Sequence, residues 1–123
     1  MKRGIITISE NGNVNIPDIP VWMTLQEIAD LFGVFSIDIR RMTRIIHKEG
    51  ILSECEAMRY IKAGRHISMD VYSLEFIMAE SFRTGSDRSR LFREYMIKKI
   101  YGTIDVSRCI LIPFQSGNRD KNN

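Results

Sequence analysis

Gly33 stands between two short amphipathic runs, directly after an apolar residue and four positions after an alanine. Glycine adopts a positive φ at little cost, so a helix that reaches Gly33 can stop there and turn sharply. The run before it carries Leu25, Ile28, Ala29 and Phe32 on one face at helical spacing. Thr24 and Glu27 have the spacing of a capping box, in which the hydroxyl accepts from an opening-turn amide and the carboxylate reaches back to the amide of Thr24. Beyond the glycine, Ser36 is expected to cap a second helix whose buried stripe is Ile39, Met42 and Ile46, with Ile45 as a further candidate. Ala29 is small enough for the two helices to cross closely. The stretch from Thr24 to Lys48 therefore reads as two helices joined by a tight turn.

The second helix is expected to point Arg40, Arg41, Arg44, His47 and Lys48 outward, against a single acid, Asp38. A helix of this width fits the major groove, where Arg grips guanine edges bidentately and other cations meet phosphates. Basic residues alone would equally suit a solvated helix face. Ala29 and Gly33, in register with two apolar stripes, favour a DNA-reading helix-turn-helix.

With 123 residues the chain supports one compact core, expected over residues 1–114 as a single domain with a flexible tail at 115–123. Its 44% hydrophobic and 27% charged content belongs to a globular protein rather than a disordered one. No transmembrane run and no signal-peptide pattern is evident, so a cytoplasmic protein without membrane contact is expected. A formal net charge of +3 does not by itself indicate nucleic acid, and the distribution of charge matters more. Cys55 and Cys109 lack metal-ligand spacing and read as reduced structural thiols. The acids flanking Cys55 disfavour a thiolate.

Before the two helices, Gly4 to Ile8 and Val14 to Ile16 are β-branched runs around an Asn11-Gly12 pair that suits a tight hairpin. Pro17 and Pro20 end that ladder, and Ile19 to Met23 leads onward as a further extended segment, with Trp22 as a core anchor. After them, residues 57–72 form two strand-like runs around Ala63-Gly64-Arg65, in the position of a wing. Arg59, Lys62, Arg65 and His66 would reach phosphates from such a hairpin. The alternative is a hairpin that only completes a sheet with Gly4 to Ile16.

Ser73 then caps a helix whose core face is expected to be Leu74, Ile77, Met78 and Phe82. Ser86 and Asp87 start another, with Leu91, Phe92, Tyr95, Met96 and Ile100 on its apolar face. Arg83, Arg88 and Arg90 around the intervening turn form a second basic cluster that either meets phosphates or pairs with acids such as Glu80, Asp87 and Glu94, and the ion pairs are the favoured reading. Thr84 to Asp87 lacks the Gly-Lys-Ser/Thr ending of a phosphate loop. Cys109 to Ile112 is a final β-capable run. The expected fold class is α+β, a winged helix-turn-helix-like single domain with short antiparallel hairpins and two further C-terminal helices.

Three segments, VWMTLQEIADLFGV, HKEGIL and VYSLEFIMAESFRTGSDRSRLFREYM, resemble in that order the N-terminal part of the virulence-protein RhuM family. The last also resembles the end of Bro-N and phage antirepressor DNA-binding domains. The likeness spans roughly Ile5 to Ile100 and implies a DNA-binding or phage-related regulatory module. Phe35 to Ile39 departs from the more Ser/Thr-rich start of that family's second helix. The chain also stops short of the family's longer C-terminal region, so activity housed there is not expected.

Double-stranded DNA is the expected partner, with Arg40, Arg41 and Arg44 in the groove and His47, Lys48, Arg59, Lys62 and Arg65 on or near the backbone. A protein-interaction module on the same scaffold is the alternative, with a regulatory protein or a second copy as partner. His47 and His66 have no evident nucleophile, carboxylate partner or metal-ligand spacing beside them, so neither catalysis, cofactor nor metal is expected.

Overall fold

In the computed structural model the described residues are 2–50, 52, 57–62 and 68–103. Arg65 and His66, both cysteines, the run Cys109 to Ile112 and the tail at 115–123 lie outside them. The fold is α+β. Its order is β1 (Thr7–Ile8), β2 (Val14–Asn15), β3 (Trp22–Met23), α1 (Leu25–Phe32), α2 (Ser36–Glu49), β4 (Met58–Lys62), β5 (Ser68–Ser73), α3 (Leu74–Arg83) and α4 (Asp87–Thr103). The chain divides into two compact units, Met1–Arg93 and Glu94–Asn123, the boundary falling within the sequence of α4. Among the described residues no helix is long and apolar enough to cross a membrane.

The first hairpin pairs β1 with β2, Ile8 opposite Val14. Within this loop only Gly12 takes a positive φ, so Asn11 does not supply the second left-handed residue of a two-residue turn. The loop instead closes through Gly12 N–H to Ser9 O, with Ser9 N–H to Asn13 O and Asn13 N–H to Ser9 Oγ outside it. Gly4 is pinned by backbone bonds to Pro20 and Trp22, and a Cβ there would meet Ile19 O at 2.8 Å.

The second sheet has the order β3-β5-β4, antiparallel throughout. The β4–β5 hairpin thus completes a sheet, with Trp22 and Met23 rather than with the Gly4 to Ile16 hairpin. Trp22 is buried as an anchor, and Met23, Val71 and Tyr72 join it in the core.

Local signals set α1 as expected. Thr24 Oγ1 accepts from Glu27 N–H at 3.1 Å and Thr24 N–H donates to Glu27 Oε1 at 2.8 Å. Arg3 completes this corner, donating to Glu27 at 2.7 Å and to Trp22 O at 2.9 Å. Burial works against ionisation of Glu27, but Arg3 and the Thr24 amide outweigh it and hold the carboxyl below its usual range. Gly33 ends the helix at φ 67°.

The start of α2 differs from expectation. Phe35, extended at φ −76° and ψ 143°, holds the cap position and Ser36 is already helical, so its hydroxyl makes no capping bond. The buried face is Ile39, Thr43 and Ile46; Met42 is half-buried and Ile45 exposed. Thr43 enters the core because its hydroxyl finds partners there: Ile39 O and Glu80 Oε2, each at 2.8 Å.

The core face of α3 is also rotated from the expected one. Phe76, Ile77, Glu80 and Ser81 are buried, whereas Leu74 and Met78 are half-buried and Phe82 is exposed. Ser73 caps the helix through Phe76 N–H, and Ser86 Oγ accepts from Ser89 N–H at the start of α4. Phe92 is buried edge-on against Phe32, centroids 5.8 Å apart. In the second unit, Ile97, Ile100 and Tyr101 are exposed, and the Lys99 ammonium lies 5.7 Å from the Tyr95 ring centroid.

Candidate nucleic-acid interface

The outward face of α2 is built by helical spacing. Arg40 and Arg41 lie three and four positions beyond Ile37, Arg44 is the next turn and Lys48 the turn after. Ser36, Ile37, Arg40, Arg41 and Arg44 line one concavity on this face. Arg41 donates to Asp38 at 3.2 Å. Among the described residues no carboxylate pairs with Arg40, Arg44 or Lys48, and all three are exposed.

His47 lies at the inner edge of this surface, lining a concavity together with Arg40 and Arg44. It is half-buried, its ring 5.5 Å from Phe76 and 6.3 Å from Tyr72. The position explains it: His47 follows Ile46 and lies four residues after Thr43, both buried, so the helix turns its side chain towards β5 and α3.

Strand alternation separates the two lysine and arginine candidates of β4. Met58 pairs with Tyr72, Tyr60 with Asp70 and Lys62 with Ser68, so Met58, Tyr60 and Lys62 share the sheet face on which Tyr72 meets His47 of α2. Arg59 points to the other face, its guanidinium carbon 4.7 Å from the Trp22 ring centroid. Lys62 therefore shares a side with the α2 arginines and Arg59 is engaged elsewhere. A second concavity joins the two elements, lined by Thr24, Leu25 and Gln26, by Arg40, Thr43, Arg44 and His47 of α2, and by Met58, Met69, Asp70 and Tyr72.

Set against protein-family models, curated proteins and solved structures, the chain matches none. The likeness to RhuM proteins therefore rests on the three segments quoted above.

The second arginine cluster, around the α3–α4 turn, makes the expected ion pairs only in part, Arg90 with Asp87, and otherwise bonds backbone carbonyls or another acid. Arg88 donates to Leu31 O at 2.6 Å and to Ile8 O at 3.2 Å. Arg93 donates to Ser81 O and, at 3.1 Å, to Thr84 O. Arg83 bonds Ala79 O at 3.2 Å and pairs with Glu49 of α2, an acid outside the expected set. Arg90 keeps a loose pair with Asp87 at 3.8 Å.

Among the described residues Glu80 pairs with no arginine. It is fully buried, and that burial pushes its carboxyl up to about 7, against the Thr43 hydrogen bond and the more distant charge of Arg83. The geometry agrees with a neutral acid. The Thr43 hydroxyl has one proton and two acceptors at 2.8 Å, and both contacts are satisfied when Glu80 donates to Thr43 and Thr43 donates to Ile39 O. Sequence reading missed this contact, although Glu80 lies three and four positions after Ile77 and Phe76, on the face that those residues bury.

Proposed function

We propose that the chain is a DNA-binding protein, a transcriptional regulator or phage-type antirepressor, that sets α2 in the major groove and uses the β4–β5 hairpin as the wing of a winged helix-turn-helix. The observation that carries this reading is the pair Arg40 and Arg44, exposed on α2 with no carboxylate beside them among the described residues. An unpaired guanidinium keeps all its donors for guanine edges or phosphates. Arg41, Lys48 and Lys62 add cations on the same side. With 14 residues, α2 is on the order of 20 Å long, enough to follow the groove across several base pairs.

Shape supports the same reading. The capping box of α1, Gly33 and the buried Ile28, Ala29 and Ile39 hold the two helices together, while β3 ties the wing back to the start of α1. The regulatory role draws on the resemblance to RhuM proteins and phage antirepressors, and such a protein would act in the cytoplasm. A second reading, a protein-interaction module, is favoured by the exposed Ile97, Ile100 and Tyr101 on α4.

The test is fluorescence anisotropy of a labelled mixed-sequence duplex at low and moderate salt, with the variant R40E/R41E/R44E alongside. Salt-dependent binding lost in the variant supports DNA on α2. A folded wild-type protein that binds no duplex at low salt would turn attention to a protein partner.

A further inference from the structure

The α2 surface is not purely cationic. Phe35 is 78% exposed and Ile37 65% exposed, at the very start of the helix that carries the arginines. Neither is loosely held. The Phe35 carbonyl accepts from Asp38 N–H at 3.0 Å and from Ile39 N–H at 3.3 Å, so the backbone at both positions is locked into the helix start. Ile37 shares its concavity with Arg40, Arg41 and Arg44. A β-branched side chain in a helix is restricted to essentially one χ1 rotamer, so the branch of Ile37 at Cβ is held in one orientation.

Large apolar groups at this place call for a partner that is anionic and carries small apolar groups close to its charges. The thymine-bearing major groove has both features, phosphates along its walls and the thymine C5-methyl on its floor. The first residues of a recognition helix are also the ones that meet base edges. We propose that Ile37 is a specificity-determining residue that reads the C5-methyl group of thymine beside the bases or phosphates held by Arg40 and Arg44, with Phe35 extending the apolar edge. The proposal rests on the DNA-binding reading above and adds a base preference to it.

The experiment starts from duplexes selected by the full chain out of a random-sequence pool. Each thymine of a selected duplex is then replaced singly by deoxyuridine, which removes the methyl and leaves pairing and charge intact. Binding is measured for the wild-type chain, Ile37→Ala and Ile37→Gln, with circular dichroism confirming that each variant is folded. The expected result is at least one thymine whose methyl contributes about four-fold to wild-type affinity, the value for burying one such group. That effect should fall below about 1.5-fold in both Ile37 variants, while the salt slope is unchanged.

Selected duplexes with no methyl-sensitive position would overturn the proposal while leaving DNA binding intact. So would a methyl effect that survives in both variants. Failure of the folded wild-type chain to enrich or bind any duplex would overturn the DNA reading and this proposal together, and would assign the apolar, cationic edge to an acidic protein surface.

Discussion

The outward face of α2 and the turn between α3 and α4 look alike in sequence, each with several arginines and an acid or two within a few positions. In the structure they do opposite things. Arg40 and Arg44 stand in solvent with no carboxylate beside them among the described residues, whereas Arg88 and Arg93 are spent on backbone carbonyls. The difference lies in what surrounds each cluster. Leu31, Ser81 and Thr84 lie at or just past helix C-terminal ends, where carbonyls have no intrahelical donor and the helix dipole favours a cation. Arg40, Arg41 and Arg44 project from a helix whose interior carbonyls are already bonded. An arginine cluster is thus free for a ligand where the nearby backbone is satisfied, and structural where it is not.

Charge reversal at Arg40, Arg41 and Arg44 is the strongest way to break this contrast. It should lower duplex affinity at low salt on the order of a thousand-fold, because three phosphate-seeking cations become three repelling acids. The melting temperature should move by no more than about 2 °C. For the wild-type chain, about four neutralised phosphates correspond to a log-log salt slope of about −3 to −4. A variant that binds as tightly as the parent would place DNA elsewhere.

Glu80, the acid that the arginine-rich turn leaves unpaired, gives the next largest effect. Its carboxyl is raised from 4.5 to about 7 in the folded chain. Between those values the unfolded chain has released the proton and the folded chain still holds it, so Glu80 makes stability fall as pH rises. Its contribution is fully present below about 4.5 and is lost by about 7, amounting to roughly 3 kcal/mol. Urea unfolding of the wild-type chain and Glu80→Gln at pH 5, 6, 7 and 8 should show the amide variant gaining on the parent across this window and levelling off above it. Parallel pH profiles would mean that Glu80 ionises normally.

Arg88→Ala should cost about 2 kcal/mol of stability, since two carbonyls lose a charged donor. Arg88→Lys should recover only part of this, because an ammonium cannot match the fork that spans Leu31 O and Ile8 O. Duplex affinity per folded molecule should be unchanged in both, and a drop would show that the turn cluster also meets DNA.

The smallest effect compares the two faces of β4. Lys62→Gln should shallow the salt slope by about 1, and Arg59→Gln should leave it unaltered, because Arg59 sits over Trp22. Equal slopes in the two variants would contradict the assignment of faces.

Much of the α1 to α2 region was legible because its causes are local. Thr24, Glu27 and Gly33 each act within a few residues, and the structure uses each as its chemistry suggests. The cap of α2 was not, since Ser36 and Phe35 differ by one step of backbone conformation that no side-chain preference settles. The sheet pairing of Trp22 and Met23 with β5 was legible only as an extended segment, its partner being some fifty residues away. The core face of α3 was misread because a hydrophobic scale favours Phe82 over Glu80 and Ser81. Thr43, 37 residues away, makes burial of Glu80 tolerable by sharing a hydrogen bond with its carboxyl. His47 likewise joins a basic stripe in sequence and an aromatic cluster in space.

The sequence alone determined what depends on neighbours along the chain: where α1 begins, where Gly33 stops it, and that α2 carries arginines at helical spacing. Which polar side chains are free and which are consumed was decided by the tertiary structure, because a hydrogen bond depends on distance in space. Leu31 and Arg88 are 57 residues apart in the chain and 2.6 Å apart in the fold.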